Sequence, residues 1–437
     1  MDLARSSSVF RAQGMIETTP KKTQERALLI GLEQDGVSKW DLRDSMEELR
    51  ELANSAGAEV VDTVTQKLQK PTAPYYIGRG KAELIKESFK DQQVTSVIFN
   101  DELSPAQGRN LENLLARKVL DRTQLILDIF AQRARSREGR LQIELAQLQY
   151  LLPRLTRMWN HLSRQTGGIG TRGPGETQLE VDRRRVQERI ARLERELEGV
   201  RRVRTVQRQG RKRHQWPVAA VVGYTNAGKS TLLNLLTGAD LVAGNKLFAT
   251  LDPTTRSFTL PNKQRVLLTD TVGFLRKLPH TLIESFKATL EEVSEADLLI
   301  HLVDLSHPRV DENIEAVDNV TKELGAYGKQ TLLVFNKIDA LENPELVEIY
   351  RNKFSGSVAI SARTSEGVSG LVEALQDELS SWRLRSRFRI PTNESALLAE
   401  IHRVGHVLEL RYEGDDAVIV AHVPPQLEQK LTRFTTS

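Results

Sequence analysis

The 437 residues include no cysteine. Disulfides and thiolate metal sites are therefore excluded, and a reducing compartment is expected. No stretch approaches 18 uninterrupted apolar residues, so no membrane-spanning helix is expected. The first twenty residues, Met1–Pro20, lack the apolar core of a secretory signal. Residues 1–25 are expected to be a disordered start. An Arg/Ser-flavoured organellar transit segment is the alternative, and Met15 is an alternative initiator. A cytoplasmic location follows, with an organellar matrix or stroma as the alternative and membrane association at most peripheral. The chain is also too long for one ordinary core, so several domains are expected.

What is present is unevenly distributed. Between Arg183 and Arg213 stand thirteen Arg or Lys against four Glu, a local charge of +9. With +4 overall, the remainder sums to about −5, and a basic segment on a mildly acidic protein points to a polyanionic partner.

Apolar runs and helical patterns alternate over residues 26–135. Ala27–Ile30, Val60–Val64, Val94–Phe99 and Val119–Leu120 read as strands. Asp41–Ala56, Lys81–Lys90, Pro105–Lys118 and Thr123–Arg135 read as helices. This alternation predicts a parallel sheet with covering helices. Asp101 and Ser104 are candidate N-caps of the third helix.

Over residues 136–214 two apolar seams of heptad period predict an antiparallel helical hairpin. One runs through Leu141, Leu145, Leu148, Leu152, Leu155, Trp159 and Leu162, the other through Leu179, Val186, Ile190, Leu193, Leu197 and Val200. Pro153 inside the first is a possible kink point. Between them, Gly167 to Thr177 carries five glycines in nine residues, which predicts a loop without regular structure. Residues 215–382 form a third α/β block. Residues 383–437 form a small α+β unit, with strands at Ser386–Ile390, Val407–Tyr412 and Ala417–Val423 and helices at Glu394–Val404 and Pro425–Thr432. The fold class is multidomain α/β.

The third block carries the chemistry. The strand Val218–Val222 is followed by Gly223-Tyr224-Thr225-Asn226-Ala227-Gly228-Lys229-Ser230 and a helix beginning near Thr231. This is a phosphate loop in its strand–loop–helix setting. Its glycines let backbone N–H groups close around phosphates, and the helix N-terminus adds a favourable dipole. Lys229 is expected to contact the β- and γ-phosphates and Ser230 to ligate Mg²⁺. After the strand Arg265–Thr269 come Asp270-Thr271-Val272-Gly273, where Asp270 would hold Mg²⁺ through water and the Gly273 N–H would sense the γ-phosphate. Phe248-Ala249-Thr250-Leu251-Asp252 lies between these motifs and supplies a switch hydroxyl, Thr250, with Thr254 or Thr255 as alternatives. Asn336-Lys337-Ile338-Asp339 follows the strand Thr331–Phe335. A buried Asp339 carboxylate accepts from guanine N1–H and N2 but finds no such donors on adenine. Asn336 would support the base edge and the Lys337 stem would cover the ring. Ser361-Ala362-Arg363 completes the guanine pocket. The five elements in this order predict a GTP-hydrolysing site with Lys229, Thr250 and Gly273 as its catalytic set. Phe274 occupies the position of the usual water-orienting Gln, so unaided turnover is expected to be slow. Asn226 matches the Asn ligand of potassium-activated GTPases and reads equally well as a loop former.

The chain resembles the HflX family of translational GTPases from about Arg26 onward. The likeness is carried by YYIGRGKA (Tyr75–Ala82), LSPAQGRNLE (Leu103–Glu112), LDRTQLILDIFAQRARSREG (Leu120–Gly139), GGIGTRGPGETQLEVDRR (Gly167–Arg184), GYTNAGKST and FATLDPT. The resemblance implies an N-terminal HflX domain, a helical subdomain, a G domain and a variable C-terminal domain. It further implies binding to the large ribosomal subunit and its rRNA, and a role in recycling or rescue of stalled ribosomes. A monomer is expected. A hydrophobic residue at the Gln position is itself a trait of the family. The basic hairpin arm suits contact with RNA phosphates. The competing readings are a GTPase coupled to RNA modification and an RNA-chaperone-like scaffold. The first lacks a catalytic centre, since the chain has only 8 His and no flavin or methyl-donor motif.

Overall fold

Apolar runs bounded by capped helices assemble the first sheet. The computed structural model describes residues 25–36, 38–155, 174–214, 216–238, 247–248, 250–275, 292–380 and 384–436. In chain order the first unit holds β1 (Arg26–Glu33), α1 (Lys39–Ala56), β2 (Glu59–Lys67), α2 (Arg79–Gln92), β3 (Ser96–Phe99), α3 (Pro105–Leu115), β4 (Lys118–Asp121) and α4 (Arg122–Arg133). The strands lie in the order β2-β1-β3-β4, all parallel. β1 is buried from Ala27 to Leu32 because helices cover both sheet faces. Leu29, Leu49, Leu52 and Ile98 share one core cluster, each contributing about 1.5–3 kcal/mol.

Local chemistry sets the helix ends. Ser38 accepts from the Asp41 N–H at 3.0 Å to start α1, and Gly57 ends it at φ 94°. Ser104 starts α3 through a capping box with Gln107. Asp101 is not a cap: its carboxylate accepts from the Tyr76 hydroxyl. The third helix stops at Leu115 rather than Lys118, because Ala116 turns into the left-handed region and Lys118 already pairs with β3.

The hairpin consists of α5 (Arg137–Leu155) and α6 (Pro174–His214). Leu141 and Leu145 pack with Leu193 and Leu197, flanked by Leu148 and Ile190. Arg189 forks onto Glu144 at 2.7 and 2.8 Å while Arg137 reaches Glu196 at 3.7 Å, so the helices run antiparallel. α5 continues through Pro153 to Leu155. α6 begins at Pro174, inside the stretch expected to be irregular through Thr177, because proline at a first helical turn needs no N–H partner. Trp159, Leu162 and the glycines before Pro174 lie outside the described residues. At 41 residues α6 is roughly 60 Å long.

The third unit has β5 (Val218–Val222), α7 (Lys229–Thr237), β6 (Thr254–Thr259), β7 (Arg265–Asp270), β8 (Leu298–Asp304), β9 (Thr331–Asn336) and β10 (Val358–Ala359). Its six strands run in the order β10-β9-β8-β5-β7-β6, parallel except for β6 against β7. The last unit is an antiparallel sheet of β11 (Leu384–Pro391), β12 (His406–Glu413), β13 (Asp416–Val423) and β14 (Thr435–Thr436) in the order β12-β13-β11-β14.

Candidate functional site

Ligand sites of open α/β sheets form beyond the carboxyl ends of the strands. At those ends of β5, β7 and β9 a cavity of about 370 Å³ opens. It is lined by Thr225, Asn226, Gly228, Lys229, Ser230 and Thr231 from the phosphate loop and by Phe248 and Thr250 from the switch segment. Thr271, Gly273, Asn336, Lys337, Asp339, Ala340, Ala362 and Arg363 complete the wall.

The loop is built for close approach. A Cβ on Gly223 would stand 2.2 Å from the Leu302 carbonyl oxygen. Gly228 has φ 98°, and a Cβ there would meet Asn336 Nδ2 at 2.3 Å. Gly273 leaves room for Lys229 Nζ, 3.0 Å from where its Cβ would lie. Lys229 is buried and donates to the carbonyls of Gly223 at 3.0 Å and Tyr224 at 2.9 Å. Burial lowers its ammonium to about 8, with Asp270 opposing. Burial likewise raises the Asp270 carboxyl, against the nearby Lys229 and hydrogen bonds from Ser230 and Thr250. Beneath them, burial holds the His301 imidazole down at about 4, and Lys229 adds to the effect.

Three oxygen donors converge beside Lys229. Ser230 Oγ donates to Asp270 Oδ2 at 2.7 Å and lies 2.8 Å from Thr250 Oγ1. The alternatives to Thr250 are engaged elsewhere: Thr255 pairs with Thr269 at 2.9 Å, and Thr254 turns to the Asp252 carbonyl at 3.5 Å. Asp270 Oδ1 is buried without a hydrogen-bond partner among the described residues. Hard oxygen donors around an orphaned carboxylate oxygen fit Mg²⁺. Among the described residues no cluster of three His, Cys, Asp or Glu could hold a metal.

At the far end, Asp339 sits on a short 3-10 turn and accepts from Ser361 Oγ at 2.7 Å. It is exposed rather than buried as expected, because it stands at the cavity rim where a base itself would form the cover. Asn336 does not reach for the base edge. Its Nδ2 donates to the Ala227 carbonyl at 2.7 Å and its Oδ1 accepts from the Ala362 N–H at 2.9 Å, so it ties three loops together. Lys337, at φ 66°, pairs with Asp304 at 2.7 Å.

Several expected contributors face elsewhere. Leu251 and Val272 are buried in the hydrophobic core. Ile338 packs beside Phe335 and Tyr350. The Tyr224 hydroxyl donates to Glu48 of α1 at 3.0 Å. Asp252 binds backbone N–H groups at the start of α5. Ala249 lies outside the described residues. Phe274 is 1% exposed and its backbone is locked to the phosphate loop, Thr225 N–H to Phe274 carbonyl at 2.8 Å. Sequence reasoning missed Asp304 and Glu48. A carboxylate closing the apolar strand Leu298–Asp304 was a readable signal for the first; contact across units left no signal for the second.

Three family models match the chain: "GTP-binding GTPase N-terminal" over residues 43–131, "GTP-binding GTPase Middle Region" over 133–211 and "50S ribosome-binding GTPase" over 218–337. The protein called GTPase HflX of Caldanaerobacter subterraneus subsp. tengcongensis is 47% identical over 416 residues, 95% of each chain. That of Escherichia coli K12 is 46% identical over 380 residues, 86% of this chain and 89% of its own. A solved complex of SsGBP with GDP matches with a TM-score of 0.47 and 27% identity, covering 81% of this chain and 98% of that one.

Proposed function

The chain belongs to the HflX family of GTPases, and on that premise we propose that it acts as a GTP-controlled switch on the large ribosomal subunit, in recycling or rescue of stalled ribosomes. The observation that carries the site assignment is the convergence of Ser230, Thr250 and Asp270 next to buried Lys229, at one end of a cavity whose other end is Asp339.

In this reading Lys229, whose ammonium is lowered by burial, leaves its two loop carbonyls for the β- and γ-phosphates. Ser230, Thr250 and Asp270 would hold Mg²⁺, which neutralises charge on the phosphates when bound. The Gly273 backbone, where a Cβ would collide with Thr225 and crowd Lys229, would face the γ-phosphate. Asp339 selects guanine, with Ser361 orienting its carboxylate and Lys337 held beneath the base by Asp304. Asn226 is exposed at φ 63° on the rim, and in this reading it would supply a ligand to K⁺.

Phe274 points into the core, so no side chain at that position orients the attacking water. Hydrolysis is then a timer set by the bound partner. The basic helix α6 supports rRNA as that partner, since Arg and Lys neutralise phosphates without reading sequence. The protein works as a monomer in the cytoplasm in this reading; no described helix is long and apolar enough to cross a membrane. The test is co-sedimentation with purified large subunits under a GTP analogue or GDP, alongside GTP turnover in K⁺ and in Na⁺. Nucleotide-dependent pelleting and subunit-stimulated turnover are expected. Failure to pellet under any nucleotide would overturn the ribosomal assignment.

A further inference from the structure

Asp252 lies two residues beyond Thr250, yet its carboxylate faces away from the cavity. It accepts from the backbone N–H of Arg135 at 2.9 Å and of Ser136 at 2.8 Å, and from the Ser136 hydroxyl. These residues lead into α5, so a carboxylate of the switch segment caps the first helix of the arm, where charge and helix dipole agree. Ser136 Oγ in turn accepts from the Gly139 N–H at 2.9 Å. The fit is close: a Cβ on Gly139 would lie 2.5 Å from Asp252 Oδ1 and 3.1 Å from Ser136 Oγ.

The same segment is pinned at its other end by the N-terminal unit. The Leu247 N–H donates to Ser55 Oγ at 3.2 Å, and the Phe248 ring meets Phe130 edge to face with centroids 4.5 Å apart. Thr250 therefore hangs between two anchors outside the nucleotide-binding unit, with its hydroxyl 2.8 Å from Ser230 Oγ.

We infer that Asp252 is a positioning residue for GTP hydrolysis: held by the start of α5, it keeps the Thr250 hydroxyl at the Ser230–Asp270 cluster, so that displacement of the arm withdraws it. This rests on the assignment of Thr250 made above. It gives the arm a direct route to the reaction, because whatever the hairpin binds acts on Thr250 through one carboxylate.

The test uses the full chain with Asp252→Ala, Gly139→Ala, their combination and Thr250→Ala. Single-turnover hydrolysis is followed against Mg²⁺, with GDP affinity and hydrogen exchange at residues 135–139 as separate readouts. Loss of a charge-assisted cap predicts turnover about tenfold slower in Asp252→Ala, with a higher Mg²⁺ requirement. GDP affinity stays within about twofold, since the γ-phosphate side alone is disturbed. Amide exchange at 135–139 quickens. Gly139→Ala, which removes no polar group, gives a smaller loss of the same kind, and the double variant is no worse than Asp252→Ala because both break one contact. A purely structural role would lower GDP affinity and thermal stability together. Wild-type turnover and Mg²⁺ dependence in Asp252→Ala, with Thr250→Ala slow, overturns this inference alone. If Thr250→Ala is also unaffected, the assignment of Thr250 falls first.

Discussion

Replacing Asn336 separates a residue that reads the base from one that holds the pocket together. Its side chain is 2% exposed, donating to the Ala227 carbonyl at 2.7 Å and accepting from the Ala362 N–H at 2.9 Å. Asn336→Ala leaves one acceptor and one donor buried without partners, at about 1–3 kcal/mol each. Part of that cost is met by water entering the small gap, so a net loss of about 2–3 kcal/mol is expected. Because nucleotide binds only the assembled loops, this corresponds to GDP release roughly 30- to 140-fold faster. Asn336→Asp keeps an acceptor for Ala362 but sets a carboxylate oxygen against the Ala227 carbonyl, so it should release GDP at least as fast as the alanine variant. If Asn336 acted by touching guanine, the alanine variant would be the worse of the two. Stopped-flow release of a fluorescent GDP, with urea denaturation of the nucleotide-free protein alongside, measures both effects. Release within about twofold of wild type in both variants would refute the reasoning.

Phe274→Gln, which restores the residue common in small GTPases, should not speed hydrolysis. The side chain points into the core, where an amide costs on the order of 3 kcal/mol, so denaturation should show a loss while single-turnover rates do not rise. Asp304→Asn frees the Lys337 ammonium from its 2.7 Å partner and should speed GDP release several-fold, more at low salt than at high, as read by the same stopped-flow assay. His301 gives a pH signature. Burial depresses its imidazole from 6.5 to about 4, so the unfolded chain binds the proton first as pH falls below 6.5. Stability is therefore lost downward through that window, by about 2.5 kcal/mol at pH 4.5. The raised Asp270 carboxyl acts in the opposite sense, because the folded state then binds the extra proton. The comparison must be with His301→Gln, and urea midpoints from pH 7.5 to 4.5 should show the difference between the two proteins shifting in the variant's favour. A constant difference would mean the imidazole is not held neutral.

How far the sequence could be read depended on where each residue's partners lie. The phosphate loop, Asp270–Gly273 and Asn336–Asp339 were legible because their spacing and flanking strands are local, and the covering helices because caps such as Ser104 with Gln107 act within one turn. What failed was direction. Asp252 sits in a run with Thr250, and nothing local shows that its carboxylate turns to residues 135 and 136, more than a hundred positions earlier. Tyr224 lies inside the phosphate loop yet its hydroxyl belongs to Glu48. Asn336 has the right identity and place, but which of its neighbours it bonds is set by how β9 abuts the loops at Ala227 and Ala362. These three residues share one property: each carries a polar group across a boundary between elements that fold from distant segments. Such groups are where one unit can sense another, since a buried hydrogen bond lost on one side leaves a cost on the other. In this chain they form two lines from the nucleotide site, Tyr224 of the phosphate loop to Glu48 and Asp252 of the switch segment to Ser136, which reach the N-terminal unit and the arm respectively. A displacement of the segment carrying Thr250 and Asp252 would therefore reach the arm through Ser136, whereas the chain beyond Leu384 has no such link among these contacts.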